Sequence, residues 1–329
     1  MSSVVITGGA GGIGSQLVRK LLTKSWVDQI FVIDNLSSGF HWLLPDNNRI
    51  TFLHQDVEMI NKLGLHIKRP FIFHLAAFFA NQNSIEHPCQ DLQTNGLGTL
   101  EILRWAVKNE AMRVVYASAG CSIVEHGQDE AIREDMPPSL HLATPYQITK
   151  ALGEYYCNYF QQYVSTVRCR FFNSYGPGEV PGEYRNVIPN FIWRAMHDEP
   201  LYITGTGEET RDWIYVDDLC HYLCELVIHP KANGEVYNLG TGQETKVIAL
   251  AKAVIEGCDS RSQIRFVARR DWDTSTRRQA DISKVNSIVP LEHVLLIDDP
   301  NCLHRSGIHK IIDWFKKNKE KIDESFKER

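Results

Sequence analysis

A glycine-rich turn near the start of the chain separates a strand-like run from a helical run. Residues 4–7 are β-branched and mostly apolar, which predicts a short buried parallel strand. Residues 15–22 repeat apolar side chains with helical spacing. Glycines between a strand and a helix allow a tight turn and let a pyrophosphate approach the helix N-terminus. The spacing is G-x-x-G-x-x-G, and it predicts cofactor contacts at Gly8, Gly11, Gly12, Ile13 and Gly14.

An acidic residue follows the second predicted strand. Residues 30–33 form an apolar run that ends at Asp34, about 20 residues beyond the glycines. A carboxylate at this point accepts hydrogen bonds from the adenosine ribose and repels a 2′-phosphate. No arginine occurs in residues 35–38 to bind such a phosphate. The sequence therefore favours NAD over NADP, with Asp34 as a simple turn residue being the alternative.

Predicted strands and helices alternate through the first half of the chain. Further strands are expected at residues 50–54, 71–75, 112–117 and 164–171, and helices at 95–107 and around Tyr146. This alternation predicts an α/β fold with a Rossmann-type, doubly wound parallel sheet. The pattern becomes irregular after residue 173. We expect an NAD-binding domain over residues 1–173, rejoined by about 212–243, and a smaller C-terminal substrate-binding domain over most of 174–329.

Composition excludes several classes of partner. The 329 residues are 43% hydrophobic and 23% charged, and the net charge of −5 gives no basic surface for nucleic acid or anionic membrane. No apolar run approaches the ~20 residues of a membrane span. The eight cysteines include no C-x-x-C pair, so no metal site is expected, although Cys220 and Cys224 have helical spacing. Free thiols and a cytoplasmic location are the expectation.

Tyr146 and Lys150 have the spacing of one helical turn. Residues four apart project from the same face of a helix. A lysine cation beside a tyrosine favours the phenolate and lowers the tyrosine pKa from its usual value of about 10. Such a group can take a proton from a sugar hydroxyl while hydride leaves the same carbon. The pair alone is also compatible with two unrelated surface residues, and its position downstream of the glycine-rich turn gives it weight.

Together these residues resemble the extended short-chain dehydrogenase/reductase family, in its nucleotide-sugar epimerase and dehydratase branch. The resemblance covers nearly the whole chain. Its early motifs are residues 7–14 (TGGAGGIG), 34–35 (DN), 74–77 (HLAA), 146–150 (YQITK) and 170–177 (RFFNSYGP). Its later motifs are residues 186–189 (NVIP), 210–218 (TRDWIYVDD), 236–240 (VYNLG) and 280–284 (ADISK).

The resemblance implies tightly bound NAD and a nucleotide-diphospho-sugar, most commonly UDP-linked, that is oxidised to a ketone at C4. Tyr146 would be the catalytic base, and Lys150 would bind the nicotinamide ribose. The further cofactor contacts expected are Asn35, Asp56, Val57, Leu75, Ala76, Ala77 and Asn95. The expected substrate contacts are Asn173, Asn186 and Arg211 near the diphosphate, with Arg270 and Asp273 near the nucleotide after a one-residue shift. A salt bridge from Arg211 to Asp212 or Asp217 is the alternative for that side chain. The family commonly forms homodimers through the helix that carries Tyr146 and the helix at residues 95–107.

One stretch departs from the family pattern. After the fifth strand, a gapless match places Ala119 where a serine or threonine usually bonds the sugar hydroxyl. Ser118 supplies the hydroxyl after a one-residue adjustment, or Ser122 does so, or the role is lost; we favour Ser118.

The same stretch bears on the type of reaction. Gly120 and Cys121 stand where related dehydratases carry an acidic pair, so the sequence favours a 4-epimerase. Cys121, with Glu125 close by, offers an alternative as the acid/base of a dehydratase or C5-active epimerase. Cys121 as a small packing residue is the simpler interpretation.

Overall fold

The computed structural model describes residues 1–120, 123–124, 130–273, 275–291, 294–297 and 307–327. A parallel sheet of seven strands forms its centre, in the order β3-β2-β1-β4-β5-β6-β11. The strands are β1 (Ser2–Thr7), β2 (Val27–Asp34), β3 (Ile50–His54), β4 (Phe71–His74), β5 (Arg113–Ala119), β6 (Thr166–Phe171) and β11 (Val236–Leu239). The order reverses between β1 and β4, so their carboxyl ends border the crevice where open α/β sheets bind ligands.

Helices cover both faces of this sheet. The core under α1 and α7 and the core under α4 and α5 are separate clusters of apolar side chains. Strand residues such as Val5 and Ile6 are fully buried, one against each cluster, which explains why the strands are apolar throughout. The covering helices are α1 (Gly12–Leu22), α2 (Asn81–Glu86), α3 (Pro88–Asp91), α4 (Gly98–Lys108), α5 (Pro145–Phe160) and α7 (Val216–Ile228).

A third core lies beyond the carboxyl edge of the sheet. We call it the smaller core, because it is smaller than the two sheet cores taken together. It is built around Phe191, Ile192, Leu201 and Ile312, all essentially buried. Its helices are α6 (Val187–Met196), α8 (Val247–Cys258), α10 (Gly307–Lys317) and α11 (Lys319–Lys327), and α9 (Ser283–Asn286) packs near β11. Its strands pair in twos: β7 (Asn173–Tyr175) with β10 (Trp213–Tyr215), β8 (Leu201–Thr204) with β13 (Ile264–Val267), and β9 (Thr210–Arg211) with β12 (Thr245–Lys246).

The predicted fold class is confirmed, and the sequence patterns locate most elements of the sheet. The third strand has the predicted bounds, residues 50–54. The helix predicted from residue 95 is preceded by a π-helical turn at Leu92–Leu97, and α4 proper begins at Gly98. The strand at 236–239 pairs with β6 at the sheet edge. The exact domain limits and the cytoplasmic location stay predictions. Within the described ranges, no helix combines the length and hydrophobicity needed to cross a membrane.

Candidate active site

A cavity of about 1420 Å³ lies between the carboxyl edge of the sheet and the smaller core. Nearly all of the site residues predicted from the sequence line it. Asn95 does not line it, because this side chain is buried behind the segment that follows β4. Cys121 and Ser122, as well as Glu125, lie outside the described residues. The structure therefore gathers the predicted cofactor and substrate residues around one space, which leaves their individual roles as predictions.

Two positions of the glycine-rich turn, Gly8 and Gly14, leave no room for a side chain because backbone atoms lie too close. Gly8 has φ of +71°, and a Cβ there would lie 2.7 Å from the Ala76 amide nitrogen. A Cβ on Gly14 would lie 2.2 Å from the Gly8 carbonyl oxygen. The turn and the first residues of α1 face the cavity, where helix N-terminal amides suit a pyrophosphate.

Asp34 is held at the end of β2 by backbone amides. Its Oδ2 accepts from Ala10 at 2.9 Å and its Oδ1 accepts from Leu36 at 2.8 Å. Beside it, Asn35 donates its side-chain amide to Asp56 at 2.8 Å. The carboxylate is thus oriented by backbone amides of the glycine-rich turn and of the loop after β2, and it lines the cavity.

A chain of hydrogen bonds through His74 lies behind the cavity wall, and the direction of each bond can be assigned. Thr99 donates its hydroxyl to the Asn95 carbonyl at 2.6 Å, so it accepts from His74 Nε2 at 3.0 Å. That leaves Nδ1 of His74 to accept from the Thr7 hydroxyl at 2.7 Å. Complete burial lowers the pKa of His74 to about 3. The imidazole is therefore neutral and has a fixed tautomer, and it ties β1 to α4 through β4.

A second buried cluster joins α3, α5 and the segment after β4. Asn95 accepts from the Phe78 amide at 2.8 Å and donates to Asp91 at 2.7 Å. Thr149, next to Lys150, donates to the other oxygen of Asp91 at 2.7 Å. Burial raises the pKa of Asp91, opposed by these hydrogen bonds and by the charge of Lys150. Asn95 therefore supports the cavity wall through Phe78 in this structure.

Tyr146 and Lys150 project from the first turns of α5. The helix starts with Thr144 as N-cap, whose hydroxyl accepts from the Gln147 amide at 3.3 Å and donates to Asn81 at 2.7 Å. The Lys150 ammonium lies 5.6 Å from the centre of the Tyr146 ring and donates to the Ala117 carbonyl at 2.9 Å. Complete burial lowers the pKa of Lys150 to about 8, and the Asp91 carboxylate opposes this shift.

The Ser118 hydroxyl is hydrogen-bonded to a buried ion pair. Glu154, one turn beyond Lys150 on α5, forms a bidentate pair with Arg170 at 2.9 and 3.0 Å. The Ser118 hydroxyl donates to the same carboxylate at 2.6 Å, and only 3% of the residue is exposed. Contact with a sugar would require Ser118 to give up this bond and leave Glu154 with fewer donors. The role of the Ser118 hydroxyl toward a sugar therefore stays a prediction, and Ser122 lies outside the described residues.

The positions after Ser118 carry no acid. Ala119 lines the cavity where the family pattern places a hydroxyl. A Cβ on Gly120 would lie 2.5 Å from the Phe172 ring, so a carboxylate side chain has no room there without moving that ring. The site therefore lacks the first member of the acidic pair that a dehydratase would need.

The far end of the cavity is lined by arginines from the smaller core. Arg211 pairs with Asp273 at 3.2 Å, and Arg278 pairs with the same carboxylate at 2.9 Å. Asp212 accepts from backbone amides of other segments, and Asp217 pairs with Lys20, so both acids use partners other than those considered from the sequence.

The remaining predicted substrate residues lie around this end. The Asn173 side-chain oxygen is buried without a hydrogen-bond partner. Asn186 donates to Glu179, whose pKa burial raises to about 6. The guanidinium of Arg270 lies 5.6 Å from the centre of the Trp272 ring. One open acceptor and several arginines suit a polar, anionic ligand.

Sequence reasoning missed several residues that shape the site. Asp91 and Glu154 each stand four residues from a predicted site residue, Asn95 and Lys150, so helical spacing could have found them. Phe79, whose ring meets Tyr146 edge-on at 5.9 Å, and Trp272 lie in irregular segments where no periodic pattern exists.

Comparison with known proteins agrees with this geometry. The profile of the NAD dependent epimerase/dehydratase family matches residues 4–240. An epimerase of Methanothermobacter thermautotrophicus has the same fold with a TM-score of 0.90 and 40% identity, covering 99% of this chain and 95% of that one. The UDP-glucose 4-epimerase of Thermotoga maritima, solved with UDP-glucose, has a TM-score of 0.84 and 29% identity, covering 96% and 99%.

A relative with another activity is also similar in sequence. The UDP-glucuronic acid decarboxylase 1 of Xenopus tropicalis is 31% identical over 96% of this chain and 73% of its own length. Similarity alone therefore gives the general reaction class, and the choice among epimerase, dehydratase and decarboxylase must come from the site. The glycine-rich turn, the Tyr146–Lys150 pair and the matched profile together show that the chain is an enzyme of the NAD-dependent epimerase/dehydratase family.

Proposed function

We propose that this enzyme is a 4-epimerase of a UDP-hexose or UDP-N-acetylhexosamine. The observation that carries the proposal is Gly120, which stands where related dehydratases carry the first acid of their pair and whose Cβ position is filled by the Phe172 ring. Oxidation at C4 and return of the hydride to the other face need one base and no further acid. Dehydration needs both an acid and a base at C5 and C6, and position 120 has no space for one.

The residues around the glycine-rich turn fit NAD. Gly8 and Gly14 lie on the cavity wall, and a Cβ at either position would collide with neighbouring backbone atoms. Asp34 at the end of β2 suits the adenosine ribose. When bound, NAD would accept a hydride from C4 of the sugar and later return it.

Tyr146 would take the proton of the C4 hydroxyl as that carbon is oxidised. Lys150 would hold a positive charge beside the phenol, which favours the phenolate. The Ala117 carbonyl fixes the Lys150 ammonium, and the buried Asp91 carboxylate favours its charged form. The Phe79 ring, edge-on to Tyr146, limits the freedom of the phenol. The same phenol would give the proton back after the ketone has turned.

Arg211 and Arg278 would bind the substrate diphosphate. Guanidinium groups match phosphate oxygens in bidentate geometry. Asp273 holds both arginines in place, and its carboxylate would give up part of this contact when the more highly charged diphosphate binds. The buried, unpartnered oxygen of Asn173 would accept from a hydroxyl of the substrate.

Mass spectrometry of UDP-glucose and UDP-N-acetylglucosamine incubated with the enzyme in D₂O tests the proposal. A product of unchanged mass with a new retention time, and without deuterium at carbon, is expected for 4-epimerisation. Loss of water, or deuterium at C5, would overturn it. Deuterium at C5 would make Cys121 and Glu125 the residues to substitute next.

We also propose a homodimer formed through α5. Ile148, Tyr155 and Tyr159 lie along one side of this helix and are 52%, 59% and 55% exposed. Leu92 and Leu97, on the π-helical turn that precedes α4, are exposed as well. An apolar surface of this kind favours burial against a second copy. Light scattering should show a dimer that Tyr155→Glu converts to a monomer, and a monomeric parent at micromolar concentration would contradict the proposal.

A further inference from the structure

A chain of side-chain hydrogen bonds crosses the mouth of the cavity. Trp272 donates its indole N–H to Gln82 Oε1 at 3.0 Å, and Gln82 donates its amide to Glu86 Oε1 at 2.7 Å. The Tyr184 hydroxyl donates to the other oxygen of Glu86 at 2.5 Å. We call Trp272, Gln82, Glu86 and Tyr184 the bridging chain. Its two ends lie in loops associated with the smaller core, and its middle lies on α2.

The bridging chain lies near the reacting end of the cavity. Helix α2 directly follows the segment that carries Phe79, whose ring meets Tyr146 at 5.9 Å. Gln82, Tyr184 and Trp272 line the cavity themselves. A ligand whose sugar lies beside Tyr146 would therefore have the bridging chain between it and solvent.

The bonds of the bridging chain are built to break and re-form. Glu86 is exposed, and neither Gln82 nor Trp272 is buried, so water can replace each partner. The buried pair of Glu154 and Arg170 cannot exchange in this way without leaving a charge unpaired. Rotation of these side chains opens the mouth without unfolding a helix or strand.

We propose that the bridging chain retains the 4-keto sugar until the hydride returns to it. This inference rests on the proposed function. Oxidation of C4 moves one hydride, with two electrons, to the nicotinamide and one proton to Tyr146, and reduction reverses both transfers. A ketone that leaves before reduction therefore leaves one reduced nicotinamide and one protonated Tyr146 on the enzyme. Residues that slow departure of the ketone protect the catalytic cycle without touching the reacting atoms.

Dissociation of intact substrate tests the bridging chain without turnover. The full-length Tyr146→Phe enzyme loaded with NAD serves as background, and Tyr184→Phe with Trp272→Phe removes both end donors while leaving an aromatic ring at each position. Stopped-flow dissociation of UDP-N-acetylglucosamine should become about tenfold faster, since loss of two exposed hydrogen bonds corresponds to about one decade in a rate constant. Dissociation of UDP should not change, because UDP lacks the sugar.

Tyr237→Phe is the matched control for this measurement. It also deletes a tyrosine hydroxyl that makes one hydrogen bond, 3.3 Å to the Lys231 carbonyl, but it lies outside the cavity. Its dissociation rates should equal those of the background. Equal sugar-nucleotide dissociation in the bridging-chain variant and the control would overturn the inference.

Turnover gives an independent readout with Tyr146 intact. With substrate, the bridging-chain variant should accumulate reduced nicotinamide absorbance and free 4-keto sugar in equal amounts, while its first-turnover rate stays within about twofold of the parent. Faster dissociation in an enzyme that does not epimerise would reject the proposed function. Retention of the sugar nucleotide by the bridging chain would still stand. Normal epimerisation with unchanged dissociation and no released ketone would reject the retention by the bridging chain alone.

Discussion

The two ends of the cavity are held in different ways. At the cofactor end, buried networks through His74 and Asp91 fix the side chains that face the cavity, and each donor has an assigned acceptor. At the substrate end, Asp273 is shared between Arg211 and Arg278, and the bridging chain is open to solvent. At the cofactor end, the hydrogen bonds of these networks are formed within the protein. At the substrate end, Arg211 and Arg278 pair with a carboxylate that an anionic ligand can replace.

This difference matches what each end must do. Hydride transfer requires the cofactor and base in one fixed geometry, and buried networks supply it at the cost of adaptability. In the proposed reaction, a sugar nucleotide enters, its ketone turns within the site, and the product leaves. Exchangeable ion pairs and exposed hydrogen bonds allow those movements, so rigidity and exchange are divided between the sheet and the smaller core.

The largest expected effect is at the rigid end. Tyr146→Phe removes the proposed base but keeps the ring against Phe79. Because general acid–base catalysis contributes about 10²–10⁴-fold, epimerisation should fall by that factor. Affinity for NAD should stay within about threefold, measured by calorimetry, since Lys150 and Asp34 are unchanged. A variant that turns over at the parent rate would remove Tyr146 from the mechanism.

Substitution at the exchangeable end should affect binding more than chemistry. Arg211→Gln or Arg278→Gln removes a charged hydrogen-bond donor, each worth about 1.5–3 kcal/mol, so UDP affinity should fall about 10–100-fold. NAD affinity should not change. Lys246→Gln is the matched control, because Lys246 makes an exposed ion pair with Glu208. Equal UDP affinity in parent and variants, measured by titration calorimetry, would contradict the diphosphate assignment.

The pH dependence should report the buried lysine. With a pKa of about 8, Lys150 carries its charge below that pH and loses it above. If the charge supports the phenolate, the rate should fall as pH rises through about 8, by up to about tenfold per unit. Lys150→Arg keeps a cation at all these pH values, so its lower rate should lack the fall. An identical alkaline decline in both enzymes would assign it to another group.

The rigid end carries local sequence patterns that the exchangeable end lacks. The glycine turn, Asp34 and the Tyr146–Lys150 spacing report constraints that act over a few residues, and these line the cavity as expected. The resemblance implies a cofactor contact for Asn95, but its side chain is buried behind the segment after β4, where it bonds Phe78 and Asp91 from two other segments. No motif in the sequence points to Asp91.

The contacts of the other end depend on separations that no local pattern encodes. Trp272 and Gln82 are 190 positions apart, and the two segments meet only in the folded chain. A shifted motif predicts Asp273, yet its pairing with both Arg211 and Arg278 depends on how β9 meets the irregular segments after β13. Motif spacing therefore locates such residues near the cavity without showing their partners.

The smallest expected effect on rate separates support from chemistry within the rigid end. Ser118→Ala deletes the hydroxyl that bonds Glu154, so the free energy of unfolding should fall by about 1.5–3 kcal/mol, as for a hydrogen bond to a charged group. The epimerisation rate should stay within about twofold, because the hydroxyl points into the buried pair. A loss of more than about tenfold in rate would return Ser118 to the sugar. Ala119→Ser is the companion variant, since it places a hydroxyl on the cavity side of the strand end. A gain in rate there would mean that Tyr146 alone bonds the C4 oxygen in the parent enzyme. Unchanged stability would mean that the fold tolerates a second hydrogen-bond donor at that position.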